Sequence, residues 1–349
     1  MTGKKLLKAQ VGPIDLQVGV PQVLVDRVQG TTGYRLVEPG LSRAIAVLAG
    51  RSRRSDTTGD AGPPRVPERV PQPEEVDPGA RRILDRIAPI DWYHSIDLGN
   101  GVSTPGFVDH RPQLNLYGLP ESLEGKRCLD VATFDGFWAF EMERRGAAEV
   151  VALDIGHFSE SDIPKVILPH AVELDGAQPT GEGFRTAADL LGSKVRREIC
   201  NVYDLSPERL GTFDFVFVSD LLIHLRDPQL ALERAFSVCG DRVVVADSFE
   251  PALQERDPHL PLARFTGGLT SETWWLPNVA TLHSMMVVAG FEPVAEVARF
   301  VLNAASSGLI HKVVLHGGVP ARHSWRDQVD EEAARRRGSA AVSAAGKGA

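Results

Sequence analysis

Apolar positions are unevenly spread along the chain. Between residues 120 and 317 they gather into short runs, each closed by a turn signal or an acidic residue. KRCLDVA, EVVALD, VRREIC, TFDFVFVSD, DRVVVAD and GLIHKVVLHGG read as strands. Between them, FWAFEMERRGA, PQLALERAFSV and NVATLHSMMVVAG carry helical spacing. KRCLDVA, the turn at FDG, FWAFEMERRGA and EVVALD follow one another as strand, turn, helix and strand, a βαβ unit. The series predicts an α/β fold, a doubly wound and mostly parallel Rossmann-like sheet over 120–317.

The flanks have a different texture. VGPIDLQVGV, QVLVDRV and LSRAIAVLAG give residues 1–50 strand-like and helix-like fragments, read as an N-terminal accessory element that is also a candidate for homodimer contacts. Residues 51–80 are rich in Arg, Pro, Gly and acidic residues, a linker composition whose prolines interrupt any helix. Residues 81–119 are dense in aromatics and histidines and read as a lid or pocket wall, with a loop packed over the sheet edge as the equal alternative. From 318 to 349 the chain reads as a frayed helix and a flexible C-terminal tail.

Composition narrows the classes. With 349 residues and 43% hydrophobic positions there is material for a sizeable core, which excludes a wholly disordered chain. The net charge of −8 weakens the case for a large nucleic acid, whose affinity rests on neutralised phosphates. No run of 18 apolar residues and no secretory leader is present, so a cytoplasmic protein without membrane association is expected. Cys128, Cys200 and Cys239 form no CxxC spacing, which argues against a disulfide scaffold and fits a reducing compartment.

Open α/β sheets bind ligands beyond the carboxyl ends of their strands, so the chemistry should sit where strands stop. The first strand ends in Asp130-Val131-Ala132-Thr133-Phe134-Asp135-Gly136. Ala132 and Phe134 stand where a dinucleotide fingerprint needs glycine, which disfavours nicotinamide and flavin cofactors. The second strand ends at Asp154, placed to take the two hydroxyls of a ribose. Acidic residues at successive strand ends suit a cationic or polyol-bearing nucleoside better than a polyphosphate. Tyr203-Asp204 follows VRREIC as the next candidate, and Ser219-Asp220-Leu221-Leu222-Ile223-His224 closes a further strand.

CLDVATFDGFWAFEMERRGAAEVVALD resembles the first two motifs of class I S-adenosylmethionine-dependent methyltransferases. WYHSIDLGNGVSTPG, YGLPESLEGKRCLDVATFDGFWAFEMERRGA, FDFVFVSDLLIHLRDPQLALERA and WWLPNVATLHSMMVVAGF together resemble the branch of tRNA wobble-uridine (5-oxyuridine) methyltransferases, many of whose members look like small-molecule biosynthetic enzymes. The resemblance covers about residues 88–317 and implies a seven-stranded sheet, S-adenosyl-L-methionine as cofactor and S-adenosyl-L-homocysteine as product. It implies that Asp130 and the turn Ala132, Thr133, Phe134, Asp135 and Gly136 lie against the methionine part. Asp154 would hold the ribose, Ile155 would flank the adenine, Asp204 beside Tyr203 would meet the adenine amino group, and Ser219 would border the cleft.

Methyl transfer from a sulfonium needs orientation and exclusion of water, with a base where the acceptor must lose a proton. His224, one turn beyond its strand, is the first base candidate, with support of the LLIHLRDP turn as its structural alternative. His94 is the second, within the aromatic run Trp92-Tyr93-His94 that can enclose a sulfonium or stack an acceptor ring. His110 and Arg111 are candidates for an acidic substrate group, and Trp274, Trp275 and Asn278 for the acceptor wall, Asn278 also suiting a helix cap. Asp220 and Asp247 have no metal-specific spacing, so no metal is expected. The leading function is methylation of a hydroxyl, in preference to a nitrogen, on a small biosynthetic acceptor. The rivals are methyl or carboxymethyl transfer to a tRNA wobble uridine, which calls for a cation that WYHSIDLG does not offer, a noncatalytic scaffold and an NAD-dependent dehydrogenase.

Overall fold

The computed structural model describes residues 4–11, 14–21, 77–164, 180–268, 273–304 and 308–320. At the N-terminus β1 (Lys4–Val11) and β2 (Ile14–Pro21) pair antiparallel, from Lys4 opposite Pro21 to Val11 opposite Ile14. This hairpin belongs to a unit of its own. QVLVDRV, LSRAIAVLAG, the linker up to residue 76 and the tail beyond residue 320 lie outside the described residues.

The main unit is built on one seven-stranded sheet: β3 (Arg127–Val131), β4 (Glu149–Asp154), β5 (Arg196–Ile199), β6 (Phe213–Ser219), β7 (Cys239–Ser248), β10 (Val294–Ala304) and β11 (Gly308–Gly318). A separate short pair, β8 (Ala263–Phe265) and β9 (Trp275–Pro277), lies between β7 and β10 in the chain. The sheet order is β10-β11-β7-β6-β3-β4-β5, and only β11 runs against its neighbours. The chain leaves β3 first to one side and later to the other, so the strand order reverses between β3 and β6, the place where open α/β sheets form a crevice.

Period-two alternation divides the core in two. Leu129, Val131, Val151, Leu153, Val216, Val218, Val243, Val245, Val313 and Leu315 face one layer, filled by α4 (Pro228–Val238) and α5 (Val279–Ala289). Cys128, Val150, Ala152, Phe215, Phe217, Val244, Ala246 and Val314 face the other, filled by α1 (Pro78–Ile87), α2 (Phe137–Arg144) and α3 (Glu182–Leu191). Each large side chain so buried contributes about 1.5–3 kcal/mol. The three cysteines are buried and free. No helix among the described residues is long and apolar enough to cross a membrane.

Two elements depart from the sequence reading. Asp77 accepts from the amides of Gly79 and Ala80, and Pro78 occupies the first turn of α1, so a helix starts inside the stretch read as linker. Strand β10 was not expected, because a register shift between Glu296 and Ala298 breaks the alternation that marks a strand. Residues 88–119 pack against the α2 layer: Trp92, Ile96, Leu98, Val102, Tyr117 and Leu119 are buried there, and the Trp92 indole donates to the carbonyl of Ile87.

Asn278 is fully buried and caps α5 by accepting from the Thr281 amide. Its Oδ1 also accepts from the Leu262 amide and the Thr281 hydroxyl, and its Nδ2 donates to the carbonyls of Asp257 and Leu260. Every polar position of the side chain is thus used to tie α5 to the chain before β8. Replacing Asn278 by Ala removes a cap, worth about 1 kcal/mol, and strands buried backbone groups at about 1–3 kcal/mol. Urea unfolding should show a loss of roughly 2–4 kcal/mol.

Candidate functional site

The crevice at the strand reversal is formed by the turn after β3, the end of β4 and the end of β6. Ala132, Phe134 and Gly136 all have positive φ (+62°, +49° and +94°), so the turn takes a glycine-type backbone with glycine at only one of the three places. The sequence reading took the missing glycines as a departure from a glycine turn; the conformation is nevertheless retained. Left-handed backbone costs a residue with a Cβ about 1–2 kcal/mol, so other interactions must hold it.

Carboxylates do so. Asp130 Oδ2 accepts from the Thr133 hydroxyl at 2.7 Å and from the Ala139 amide at 3.1 Å. Asp154 Oδ2 accepts from the Phe134 amide at 2.8 Å, while its Oδ1 accepts from Ile155. Asp135 Oδ2 accepts from the amides of Tyr93 and His94, at 2.7 and 3.0 Å, and so fastens the entry segment to the turn. Burial pushes the carboxyl of Asp130 up to about 7 and that of Asp135 up to about 6, against the pull of their hydrogen bonds. Burial also raises Asp154, opposed by its amide bonds and by Arg197. Phe134 (46% exposed) and Ile199 (56% exposed) offer large apolar surfaces at the turn and at the end of β5.

The remaining expected residues fall into separate places. Ile155 lends its carbonyl to Arg197 and to the hydroxyl of Thr180. Tyr203 donates its hydroxyl to Asp162, and Asp204 is exposed at the end of a 3-10 turn. Ser219 is buried and donates to Asp220. His224 ends the 3-10 turn Leu222–His224, next to a cavity of about 160 Å³ lined by Leu222, Ile223, Trp275, Leu282 and Met285. The indoles of Trp274 and Trp275 donate to the carbonyls of Asp162 and Arg226. Arg111 is exposed and bound to Asp109 and Ser103.

His94 and His110 do come together. Their ring centroids lie 5.5 Å apart, both rings are buried, and both are packed against Phe137. Two residues that the sequence reading did not join to them complete the group. Lys312 of β11 is entirely buried and donates to Asp220 Oδ1 and to the carbonyl of Ala246. Asp220, with φ +52°, follows β6 directly and is held as the carboxylate by Lys312, which overcomes the effect of burial. Asp247 instead accepts from the amides of Leu221, Leu222 and Ser248, and burial raises it. Alternation was the available signal: in HKVVLHGG both faces are apolar, which puts Lys312 on the face of Val314 and inside the core.

No family model matches the chain. Over 135 residues it is 30% identical to a magnesium-protoporphyrin O-methyltransferase of Rhodobacter capsulatus, a match covering 38% of this chain and 48% of that one. The chain thus spans about half the length of this curated relative. Among solved structures, the N-terminal domain of EvdMO1 with S-adenosylhomocysteine and D-fucose is 16% identical, with TM-score 0.47, over 69% of this chain and 95% of that one. Magnesium protoporphyrin IX methyltransferase of Synechocystis PCC 6803, with bound S-adenosylhomocysteine, is 14% identical, with TM-score 0.38, over 60% and 80%. The strand order, with its single reversed strand beside β7, settles the architecture. The fold is the class I methyltransferase fold.

Two outcomes follow from the turn. Asp130 carries a folded-state pKa above its unfolded value of about 3.9, so the folded protein binds more protons between about pH 4 and 7, and this contribution to stability falls as pH rises through 7. Asp130→Asn keeps an acceptor without a charge, so melting curves from pH 5 to 8 should show wild type losing stability relative to the variant at the alkaline end. Ala132→Gly relieves left-handed strain and loosens the unfolded chain, for a net gain of up to about 1 kcal/mol in denaturant unfolding.

Proposed function

We propose that this protein is an S-adenosylmethionine-dependent methyltransferase acting on a hydroxyl of a small biosynthetic acceptor. The observation that carries the reading is the set of acidic acceptors at the strand reversal: a glycine-type turn held by Asp130, Asp135 and Asp154. Such a set fits a ligand with a cationic sulfonium, an ammonium and ribose hydroxyls, and it repels a polyphosphate. Asp154 and the turn amides would hold the nucleoside, Phe134 and Ile199 its apolar faces, and the 130–136 turn the amino-acid part. When bound, the cofactor supplies an electrophilic methyl group. The 30% identity over 135 aligned residues with a curated O-methyltransferase supports the same class.

Of the two histidines considered as bases, His94 is tied to the turn through Asp135, and we assign it to the acceptor side. His224 ends the 3-10 turn whose Leu222 and Ile223 line the apolar cavity, and it fits a supporting role. Transfer of a carboxymethyl group to a wobble uridine would call for an uncommitted cation in the cleft. Lys312, the buried cation of this site, is already matched to Asp220.

Calorimetric titration tests the reading. S-adenosylmethionine and S-adenosylhomocysteine should bind, and NAD should not. Asp154→Asn should weaken both by about 1–3 kcal/mol, roughly 5- to 150-fold, for the loss of a charged acceptor. Absence of binding by either ligand would overturn the assignment, and preference for the carboxylated cofactor analogue would move it to wobble-uridine chemistry.

A further inference from the structure

The cavity of about 160 Å³ beside the Leu222–His224 turn has no part in the crevice chemistry described above. It lies between that turn, α5 and the β8–β9 pair, and its lining is wholly apolar. Leu222, Ile223, Leu282 and Met285 form its walls with the Trp275 ring. The polar neighbours are committed elsewhere. The Trp275 indole donates to the carbonyl of Arg226, and the Thr281 hydroxyl is held between the Leu262 carbonyl and Asn278. Pro228 and Pro277, also in the lining, bring no N–H at all.

The space is preformed. The Leu222 amide donates to Asp247 at 2.7 Å, and the Trp274 amide donates to the Ile223 carbonyl at 2.7 Å, so the turn is fastened to β7 on one side and to the β8–β9 pair on the other. A cavity with apolar walls stays dry, and one of about 150 Å³ takes up a single benzene ring. The cavity also stands close to the crevice. Asp220 follows β6 directly, and the two residue steps from Asp220 to Leu222 span at most about 7 Å.

We infer that this cavity receives the apolar ring of the acceptor, a neutral six-membered ring or a group of that bulk, while the acceptor's hydroxyl points back to the crevice. The placing of the hydroxyl rests on the methyltransferase reading above; the uptake of the ring rests on the cavity alone. Selection follows from the lining. A carboxylate or ammonium on the ring would lose its water and find no partner, which costs more than burial of the ring returns. Met285 is half-buried and unbranched, so it adapts to the outline of the ring. Ala263 is exposed at the edge of the cavity, where a larger side chain would fill the space.

The test is NMR of protein labelled with 13C at the methionine methyls. Toluene at millimolar concentration, with no cofactor present, should shift the Met285 methyl and leave that of Met142, in the opposite layer, where it was. Benzoate at the same concentration should shift neither. Ala263→Phe should weaken the toluene response at least about tenfold by occupying the space, with S-adenosylhomocysteine affinity as in wild type. Ala263→Leu, a smaller change should the first variant fail to fold, should weaken it in the same direction. In protein saturated with S-adenosylhomocysteine, 3-phenylpropanol should give a nuclear Overhauser effect from its ring to the Met285 methyl and another from its hydroxyl-bearing carbon's protons to the bound cofactor product. The inference is overturned if toluene leaves Met285 unmoved, if benzoate shifts it equally, or if both Ala263 variants respond as wild type. A ring contact at Met285 without the contact to S-adenosylhomocysteine would likewise overturn it, by separating the cavity from the crevice. Failure of S-adenosylhomocysteine to bind wild type, with the toluene response intact, would instead count against the methyltransferase reading.

Discussion

A turn that runs through left-handed backbone at two residues with a Cβ cannot hold itself, and here buried carboxylates hold it. Asp154 takes the Phe134 amide, Asp130 takes the Thr133 hydroxyl and the first turn of α2, and Asp135 takes two amides of the entry segment. Each lies in or beside the crevice where the strand order reverses. The interaction is costly, since burial raises all three carboxyls, and two of them titrate close to neutrality. A cationic ligand in the crevice would lower those pKa values and favour the charged forms, so the same groups that strain the free protein favour the ligand.

Most of the sheet was legible because strands covered on both faces leave an unbroken apolar run, and β4 and α4 match EVVALD and PQLALERAFSV residue for residue. Acidic residues at strand ends likewise marked the crevice. β10 was not legible, because an edge strand exposes one side, here Val297 and Val301, and its bulge spoils the remaining alternation. At the site, sequence gave residue types without their commitments. Nothing in WWLPN shows that Asn278 spends every polar atom on a cap, or that both indoles donate to carbonyls.

The Lys312 ammonium illustrates the other limit. A charge inside HKVVLHGG is a small anomaly in a strand, and only the pairing of β11 with β7 brings it beside the residue that follows β6. Removing one member of such a buried pair typically costs 3–5 kcal/mol, whereas replacing both by apolar groups is often neutral. Stability alone therefore gives little reason for the pair.

The bonds made by Asp135 reach only the main-chain N–H groups of Tyr93 and His94. An anchor that reads backbone is indifferent to which side chains the anchored residues carry. The bonds that fasten the entry segment to the turn therefore survive an exchange of the side chain at position 93, and what such an exchange disturbs is the packing of the Tyr93 ring on Phe134.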